Sequence, residues 1–130
     1  MFGDFSADLA IDDDLNNYCV SEIGVDNWLS IEVPSDTPIG YVAVYNIRAL
    51  AGTWPSQLGE FGVWVSNTPG DTTSASAVKC GESRYRGGDS FDTEPYVLWC
   101  SGAVGTYVTI KQSGGSRYLV IAEEIGRAHV

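Results

Sequence analysis

The 130-residue chain is long enough for one domain with a single hydrophobic core. Its apolar fraction of 44% and charged fraction of 18% are typical of a globular protein rather than a disordered tail. The net charge of -10 argues against nucleic acid and disfavours anionic membranes, but it suits divalent cations or neutral ligands such as sugars. No apolar run approaches the ~20 residues of a membrane helix, and no signal peptide is visible.

Short β-rich runs alternate with Gly, Pro, Asn and Asp, the pattern of a sandwich or jelly roll. Near the C-terminal end, Val108 and Ile110 alternate with Tyr107, Thr109 and Lys111, which predicts one buried and one exposed face. The run "SGGS" that follows predicts a hairpin turn, and "NTPGD" at 67–71 predicts another turn. The sequence therefore predicts an all-β protein, an antiparallel β-sandwich with strands near 27–33, 40–48, 60–66, 76–80, 95–101, 105–112 and 116–123.

Two long loops are predicted at 48–59 and 81–94, and long loops on a β scaffold are common binding sites. An aromatic face for C–H groups and guanidinium donors for hydroxyls together suit a sugar. The candidate ligand-binding residues of these loops are Arg48, Trp54, Arg84, Tyr85 and Arg86. The alternative is that Trp54 anchors its loop and that the arginines pair with Glu82, Asp89 or Asp92.

The run "AIDDDLNNYC" at 10–19 is a candidate calcium loop. Ca²⁺ takes about six to eight oxygen ligands, and Asp12, Asp14 and Asn16 at alternate positions can point oxygens at one centre. An EF-hand is excluded because Asn17 stands where that loop needs glycine and Ile23 where it needs glutamate. The alternative is a solvated acidic turn, although crowded like charges favour a neutralising cation.

The residues of common catalytic and zinc sites are missing. His129 is the only histidine, so Ser-His-Asp and Cys-His arrangements have no credible base. The three cysteines form no Cys-x-x-Cys pair, which argues against zinc. We therefore expect a protein that is not an enzyme.

The chain resembles F-type lectins and, more broadly, the discoidin (coagulation-factor C-type) domains of the galactose-binding-like superfamily. The resemblance rests on the order of "AIDDD…C", "DNWLSIEV", "IGYVAVYNIR", "FGVWVSNTPGD", "KCGES", "VLWC", "GTYVTI" and "RYLVIAE", over roughly residues 3 to 123. It implies a jelly roll that binds carbohydrates, or sometimes lipids and proteins, through loops at one end.

The resemblance also implies a structural calcium ion between the first loop and the closing strand. Asp12 and Asp14 match ligand positions of the family, and one further loop oxygen is expected from Asn16, Asn17 or Ser21. Backbone carbonyls are expected from Leu9 and Ala122, and a carboxylate from Glu123.

The family's fucose-binding residues are absent from this chain. Its histidine position falls on Ser21, and its two arginine positions fall near Ile47 and Gln57. The resemblance therefore implies the scaffold without fucose specificity.

The resemblance implies a disulfide between Cys80 and Cys100, against the alternative of two buried thiols in a cytosolic protein. Cys19 matches a family cysteine whose partner position holds Ala122, so a free buried thiol is expected there.

The two ends of the chain suggest a fragment. Residues 124–130, "EIGRAHV", back-translate as GAG ATC GGA AGA GCA CAC GTC, the start of a common sequencing adapter. We expect residues 124–130 to be a non-native tail and residues 1–123 to be one domain. Met1 is then an internal methionine of a larger protein, since family members begin with an earlier strand.

These observations predict a non-catalytic carbohydrate-binding module with one structural calcium ion, on a secreted or cell-surface protein. Its expected partners are a glycan or glycoconjugate and other domains of the parent chain, with no nucleic acid or membrane. The alternative is a structural or adhesion domain of a multidomain extracellular protein, without a sugar ligand of its own.

Overall fold

A computed structural model of the chain describes residues 19–33, 38–46, 55–86, 95–121 and 123–128, and for residues 19, 20, 55, 121 and 123–128 it describes the backbone alone. No helix in these ranges is long and apolar enough to cross a membrane. A short 3-10 helix covers Pro55–Leu58. The strands are β1 Cys19–Val20, β2 Trp28–Glu32, β3 Ile39–Tyr45, β4 Glu60–Ser66, β5 Val78–Arg84, β6 Tyr96–Ala103, β7 Tyr107–Ser113, β8 Val120–Ile121 and β9 Glu123–Ala128.

The strands form a sandwich of antiparallel sheets, which confirms the predicted fold class. One sheet has the order β2-β7-β4-β5, the other has the order β6-β3-β9, and β1 and β8 form a separate pair. Every second side chain of a strand points to the same face of its sheet. The inward-facing side chains of the two larger sheets therefore pack against each other. The buried cluster includes Val42 and Val44 from β3, Phe61 and Val63 from β4, and Leu98 from β6.

The predicted turn at 67–71 is present and covers the outer face of β2 and β7. The Gly70 amide donates to Ser30 Oγ at 2.8 Å, and Ser30 Oγ lies 2.6 Å from Thr109 Oγ1. Thr109 is therefore buried, and the prediction that it lies on an exposed face was wrong.

Hydrogen bonds from the Ser74 hydroxyl and from the amides of Ser74 and Thr73 hold the pKa of the exposed Asp71 carboxyl below its ordinary value.

The predicted hairpin between 105–112 and 116–123 was wrong in its pairing. The chain turns after Ser113, as expected, with Gly114 at a φ of 91°. It then leaves β7, because Arg117 pairs with Gly24 and β8 pairs with β1. The closing segment is thus joined to the N-terminal side of the domain rather than to its neighbour in sequence.

Two other strand boundaries differ from the predicted ones. β5 continues to Arg84, so the predicted loop at 81–94 begins four residues too early. Residues 81–84 belong to a strand at the exposed edge of the sheet, where hydrophobic alternation is not required. Their mixed polar sequence therefore did not predict a strand. At the C-terminal end, the backbone of Glu123–Ala128 pairs with β3. The structure does not test the origin of residues 124–130. Their non-native origin and the domain boundary at 1–123 therefore stay predictions.

A disulfide joins Cys80 of β5 to Cys100 of β6, as the resemblance implied. β5 and β6 are edge strands of different sheets, so the bridge connects the two layers of the sandwich. Cys100 is buried and Cys80 packs against the core cluster. The bridge closes a loop of 20 residues that contains the predicted binding segment after β5.

Removing the bridge should lower stability mainly by freeing the unfolded chain. We expect the Cys80→Ala/Cys100→Ala variant to lose about 3 kcal/mol of unfolding free energy in chemical denaturation. A reductant should destabilise the parent protein similarly and leave the double variant unchanged. Equal stability of parent and variant would show that the bridge contributes little.

Candidate functional site

One end of the sandwich collects the ends of strands from both sheets. In the larger sheet, Glu60 pairs with both Arg84 and Ser113, so the start of β4 and the ends of β5 and β7 lie side by side. In the other sheet, Val44 at the end of β3 pairs with Tyr96 at the start of β6. The rings of Phe61 and Tyr96 are 5.8 Å apart and connect the two groups. We call this region the loop end.

Both predicted binding loops are attached at the loop end. The chain between Asn46 and the 3-10 helix contains Arg48 and Trp54, which lie outside the described residues together with Asp89 and Asp92. The chain between Arg86 and Pro95 leaves from β5 and enters β6. The described ends of both segments therefore lie at the loop end.

A small cleft opens at the loop end beside Arg84. Its volume is about 270 Å³. Glu60, Glu82, Arg84 and Ser113 are exposed, whereas Phe61 is buried. The lining thus includes a guanidinium, two carboxylates and two hydroxyl groups, a polar set suited to a polyhydroxy ligand. The lining residues are Glu60, Phe61, Glu82, Ser83, Arg84 and Ser113.

The other described ligand candidates have structural contacts. The Arg86 guanidinium lies 3.9 Å from the centre of the Tyr96 ring, a cation–π geometry. The Arg86 amide donates to the Tyr96 hydroxyl at 3.3 Å, and the Tyr85 amide donates to the Gly59 carbonyl at 2.9 Å. Glu82, an expected partner of the arginines, accepts from Lys79 instead. Arg84 is therefore the candidate that faces the cleft, and Arg86 holds the start of its loop.

A buried amide organises the backbone behind the cleft. Gln112 is 2% exposed, and its Nε2 donates to the carbonyls of Gln57 at 2.8 Å, Leu58 at 3.3 Å and Tyr118 at 2.9 Å. Its Oε1 accepts from Asn27 Nδ2 at 3.3 Å. Gln112 thereby connects the 3-10 helix, the closing segment and the start of β2.

Arg117 completes this network with carbonyl acceptors. Its guanidinium donates to the carbonyls of Gln57 at 3.2 Å, Glu60 at 3.0 Å, Ser113 at 2.6 Å and Gly115 at 3.1 Å. Glu60 and Ser113 both line the cleft. Arg117 therefore fixes two of the strand ends that shape it.

Sequence reasoning missed both residues of this network. Gln112 has the same parity as the inward-facing Val108 and Ile110, so a polar residue at a buried strand position was the available signal. Arg117 carried no such signal, because its role depends on carbonyls that the fold brings together from distant segments.

Ser21 is the predicted calcium ligand whose side chain the structure describes. Nearby, Cys19 at the start of β1 pairs with Ile121 at the end of β8. Ser21 Oγ donates to the Glu22 carbonyl at 2.7 Å and accepts from the Leu119 amide at 2.9 Å, joining the two segments. Within the described ranges no three His, Cys, Asp or Glu side chains are grouped to hold a metal. The other predicted ligands, Leu9, Asp12, Asp14, Asn16, Asn17 and Ala122, lie outside those ranges, as does the side chain of Glu123.

The residues at the family's fucose positions are used for structure. The hydroxyl of Ser21 joins the closing segment, and Gln57 Oε1 accepts from the Tyr118 amide at 3.1 Å. Ile47 lies outside the described residues. Ser21 and Gln57 therefore both make internal hydrogen bonds to the closing segment.

Comparison with solved structures places this chain in the galactose-binding-like fold. The lectin domain of lectinolysin, complexed with Lewis B antigen, has a TM-score of 0.74 and 14% identity, with 97% of this chain and 86% of that chain covered. A serum f-lectin from Morone saxatilis (striped bass) has a TM-score of 0.79 and 16% identity, with 100% of this chain and 43% of that chain covered. A Clostridium perfringens family 32 carbohydrate-binding module, in complex with GalNAc-β-1,3-galactose, has a TM-score of 0.75 and 14% identity, with 96% and 85% covered.

The structural neighbours comprise F-type lectins, F5/8 type C (discoidin) domains and family 32 carbohydrate-binding modules. No family model matches the sequence, and a comparison with curated proteins finds no match. The fold predicted from the resemblance is therefore confirmed.

A substitution at Gly59 tests how much the Arg117 contacts contribute to the unfolding free energy. Its φ is +54°, and a Cβ placed on it would lie 2.4 Å from Arg117 Nε. We expect Gly59→Ala to lower the unfolding free energy by about 2 kcal/mol, because it adds backbone strain and displaces the guanidinium.

Gly115→Ala is the matched control, since a Cβ there meets nothing within 4 Å. It should change the unfolding free energy by less than about 0.5 kcal/mol. Equal losses for the two variants in denaturant titration would contradict a specific role for the Arg117 contacts.

Proposed function

We propose that this chain is a non-catalytic carbohydrate-binding module whose sugar site is the loop-end cleft beside Arg84. The observation that carries the proposal is the polar lining of that cleft. Arg84 offers planar donors, Glu60 offers a carboxylate acceptor, and Ser113 offers a hydroxyl group, all from neighbouring strand ends. Sugar hydroxyls both donate and accept, so they need such a mixed set at fixed spacing.

Two of the structural neighbours are complexes with glycans, which supports this proposal. The lectinolysin domain is a complex with Lewis B antigen, and the Clostridium perfringens module is a complex with GalNAc-β-1,3-galactose. These are glycans bound by proteins of the same fold at low sequence identity. Because fold alone does not carry specificity, the sugar bound by this chain follows from its own lining residues.

The charge of the lining favours a neutral sugar. Glu60 lies opposite Arg84 in register, so a carboxylate offsets the one guanidinium among the described lining residues, and the second carboxylate, Glu82, pairs with Lys79. A sugar acid would approach those carboxylates and a chain of net charge -10. A neutral glycan or glycoconjugate avoids that repulsion and still uses every hydrogen-bonding group.

A structural calcium ion is part of the proposal. Its ligands would be Asp12, Asp14 and one of Asn16, Asn17 or Ser21, with Leu9, Ala122 and Glu123 completing the oxygen set. The antiparallel pairing of Cys19 with Ile121 supports this arrangement, since it brings together the segments that lead into both halves. The ion would tie the first loop to the closing strand and thereby steady the loop end.

The proposed location is outside the cell, as a secreted or cell-surface module attached to other domains of its parent chain. The Cys80–Cys100 disulfide supports it, because such bonds persist in oxidising compartments. A free Cys19 and the non-native origin of residues 124–130 stay predictions.

A glycan array tests the sugar site. The calcium-loaded parent protein should bind neutral glycans, and Arg84→Ala should weaken that binding by about tenfold or more because it removes charge-assisted hydrogen bonds. Lys111→Ala, a cation of the same sheet outside the cleft, should bind as the parent does.

Two results would count against this site. Failure of the folded, calcium-loaded parent to bind any glycan would favour a structural domain without a sugar ligand. Normal binding by Arg84→Ala would move the sugar site away from the cleft.

Thermal unfolding with calcium and with chelator tests the ion. Calcium should raise the Tm of the parent protein, because a ligand that binds the native state alone stabilises it. Asp12→Ala should remove the shift, whereas Glu32→Ala, an exposed carboxylate on β2, should keep it. A parent Tm that is the same in calcium and in chelator would argue against the site.

A further inference from the structure

Trp99 is the most exposed large apolar side chain among the described residues. It is 67% exposed on β6, where Leu98 and Cys100 on either side are 5% and 4% exposed. Strand alternation therefore directs Trp99 outward, onto the outer face of the sheet β6-β3-β9. Covering this indole with an apolar ligand face would remove apolar surface from water, which is favourable.

The Trp99 ring is held in place by a second aromatic residue. Tyr41 pairs with Trp99 across β3 and β6, and their ring centroids are 5.3 Å apart at an interplanar angle of 56°. This contact lies within the range of favourable aromatic pairs. It restrains the indole on one side and leaves most of its surface open, so a ligand would meet an ordered ring.

The backbone beside Trp99 is irregular. The register between β3 and β6 shifts between Ile39 and Tyr41, opposite the β6 residues that follow Trp99. Within that irregularity Ser101 has a φ of 55°, which is uncommon for a residue other than glycine. Bulges and strained backbone are enriched next to functional sites, where they orient a neighbouring side chain.

This aromatic surface is separate from the loop-end cleft. The cleft lies on the larger sheet, whereas Trp99 and Tyr41 lie on the outer face of the smaller one. Trp99 is also three residues along β6 from Tyr96, about 10 Å from the loop end at the rise of a strand.

The two strands that carry the rings contribute no charge to the surface. The sequences of β3 and β6, IGYVAVY and YVLWCSGA, contain no charged residue. By register, Arg127 and Glu123 of β9 lie opposite Tyr41 and Tyr45, on the side of β3 away from Trp99.

The described apolar part of the surface is small. Among the side chains that the structure describes there, the exposed apolar ones are Trp99 and, at 43% exposure, Val97. Together they offer much less than the ~800 Å² that each partner buries in a standard protein interface. A flat apolar ligand face the size of one or two rings matches it better.

We propose that Trp99 and Tyr41 form a second sugar-binding surface, on which pyranose rings of a neutral oligosaccharide stack through their C–H faces. The proposal goes beyond the loop-end cleft and stands without it, because stacking uses no residue of that cleft. The two contacts would differ in kind, since a ring face accepts any sugar with a flat apolar side while a hydrogen-bonding cleft selects among hydroxyl patterns.

The test is an NMR titration of the full chain that follows its tryptophan indole N–H resonances. The probes are cellotetraose, xylotetraose and β-1,4-galactotetraose, and Trp99→Phe assigns the Trp99 resonance. We expect at least one probe to shift that resonance while those of Trp28 and Trp64, on the other sheet, stay in place.

Variants separate this surface from the loop-end cleft. Trp99→Ala should weaken binding of the responding probe by about tenfold, whereas Trp99→Tyr should restore most of it, because stacking needs a ring. Arg84→Ala should leave the Trp99 response unchanged, even where it abolishes binding on the glycan array. The thermal unfolding of Trp99→Ala should match that of Trp99→Tyr, which shows that the variant folds.

Three outcomes would overturn the proposal. One is the absence of a Trp99 shift with all three probes. Another is an equal shift with choline, which would indicate a cation site. The third is a Trp99 response that disappears in Arg84→Ala, which would assign it to the cleft.

Discussion

The loop end depends on a network in which a few side chains satisfy many backbone carbonyls. Where strands stop, their carbonyls lose ladder partners, and a buried carbonyl without a donor costs about 1–3 kcal/mol. Gln112 and Arg117 together donate to carbonyls of the 3-10 helix, of β4, of the end of β7 and of the closing segment. Without these donors the four segments would not be held together by common side chains, and the residues that line the cleft would lose their fixed positions.

The network and the disulfide constrain the same cleft from two sides. Arg117 holds the Glu60 carbonyl on β4, and the Cys80–Cys100 bridge holds β5 against the second sheet. Arg84 lies between them, opposite Glu60 in register and on the disulfide-bonded strand. Its backbone is therefore fixed by regular structure rather than by a loop, which favours a preorganised hydrogen-bonding group.

Local pattern predicted most of the fold, because strand alternation and turn residues act over short distances. The runs that became β2, β3, β4, β6 and β7 all carry alternating or continuous apolar residues. The pairing of the closing segment was not predictable in this way. It depends on contacts such as Asn27 to the Arg117 carbonyl, which join positions 90 residues apart. The Cys80–Cys100 bridge followed from the family resemblance and not from any local pattern.

Site residues were harder to predict than strands, because the same residue type serves binding in one place and structure in another. Arg84, Arg86 and Arg117 are all arginines near the loop end, yet Arg86 stacks on Tyr96 and Arg117 donates to carbonyls. Trp99 was overlooked because its outward position became clear only from the burial of its neighbours.

The departures from the family's fucose positions have a structural explanation. Ser21 and Gln57 use their polar atoms to hold the closing segment, through Leu119 and Tyr118. A common fold can retain its sheets while the residues at its loop end differ in their contacts. Among the described residues, the exposed groups that we propose for sugar binding are Arg84 in the cleft and Trp99 on the sheet face.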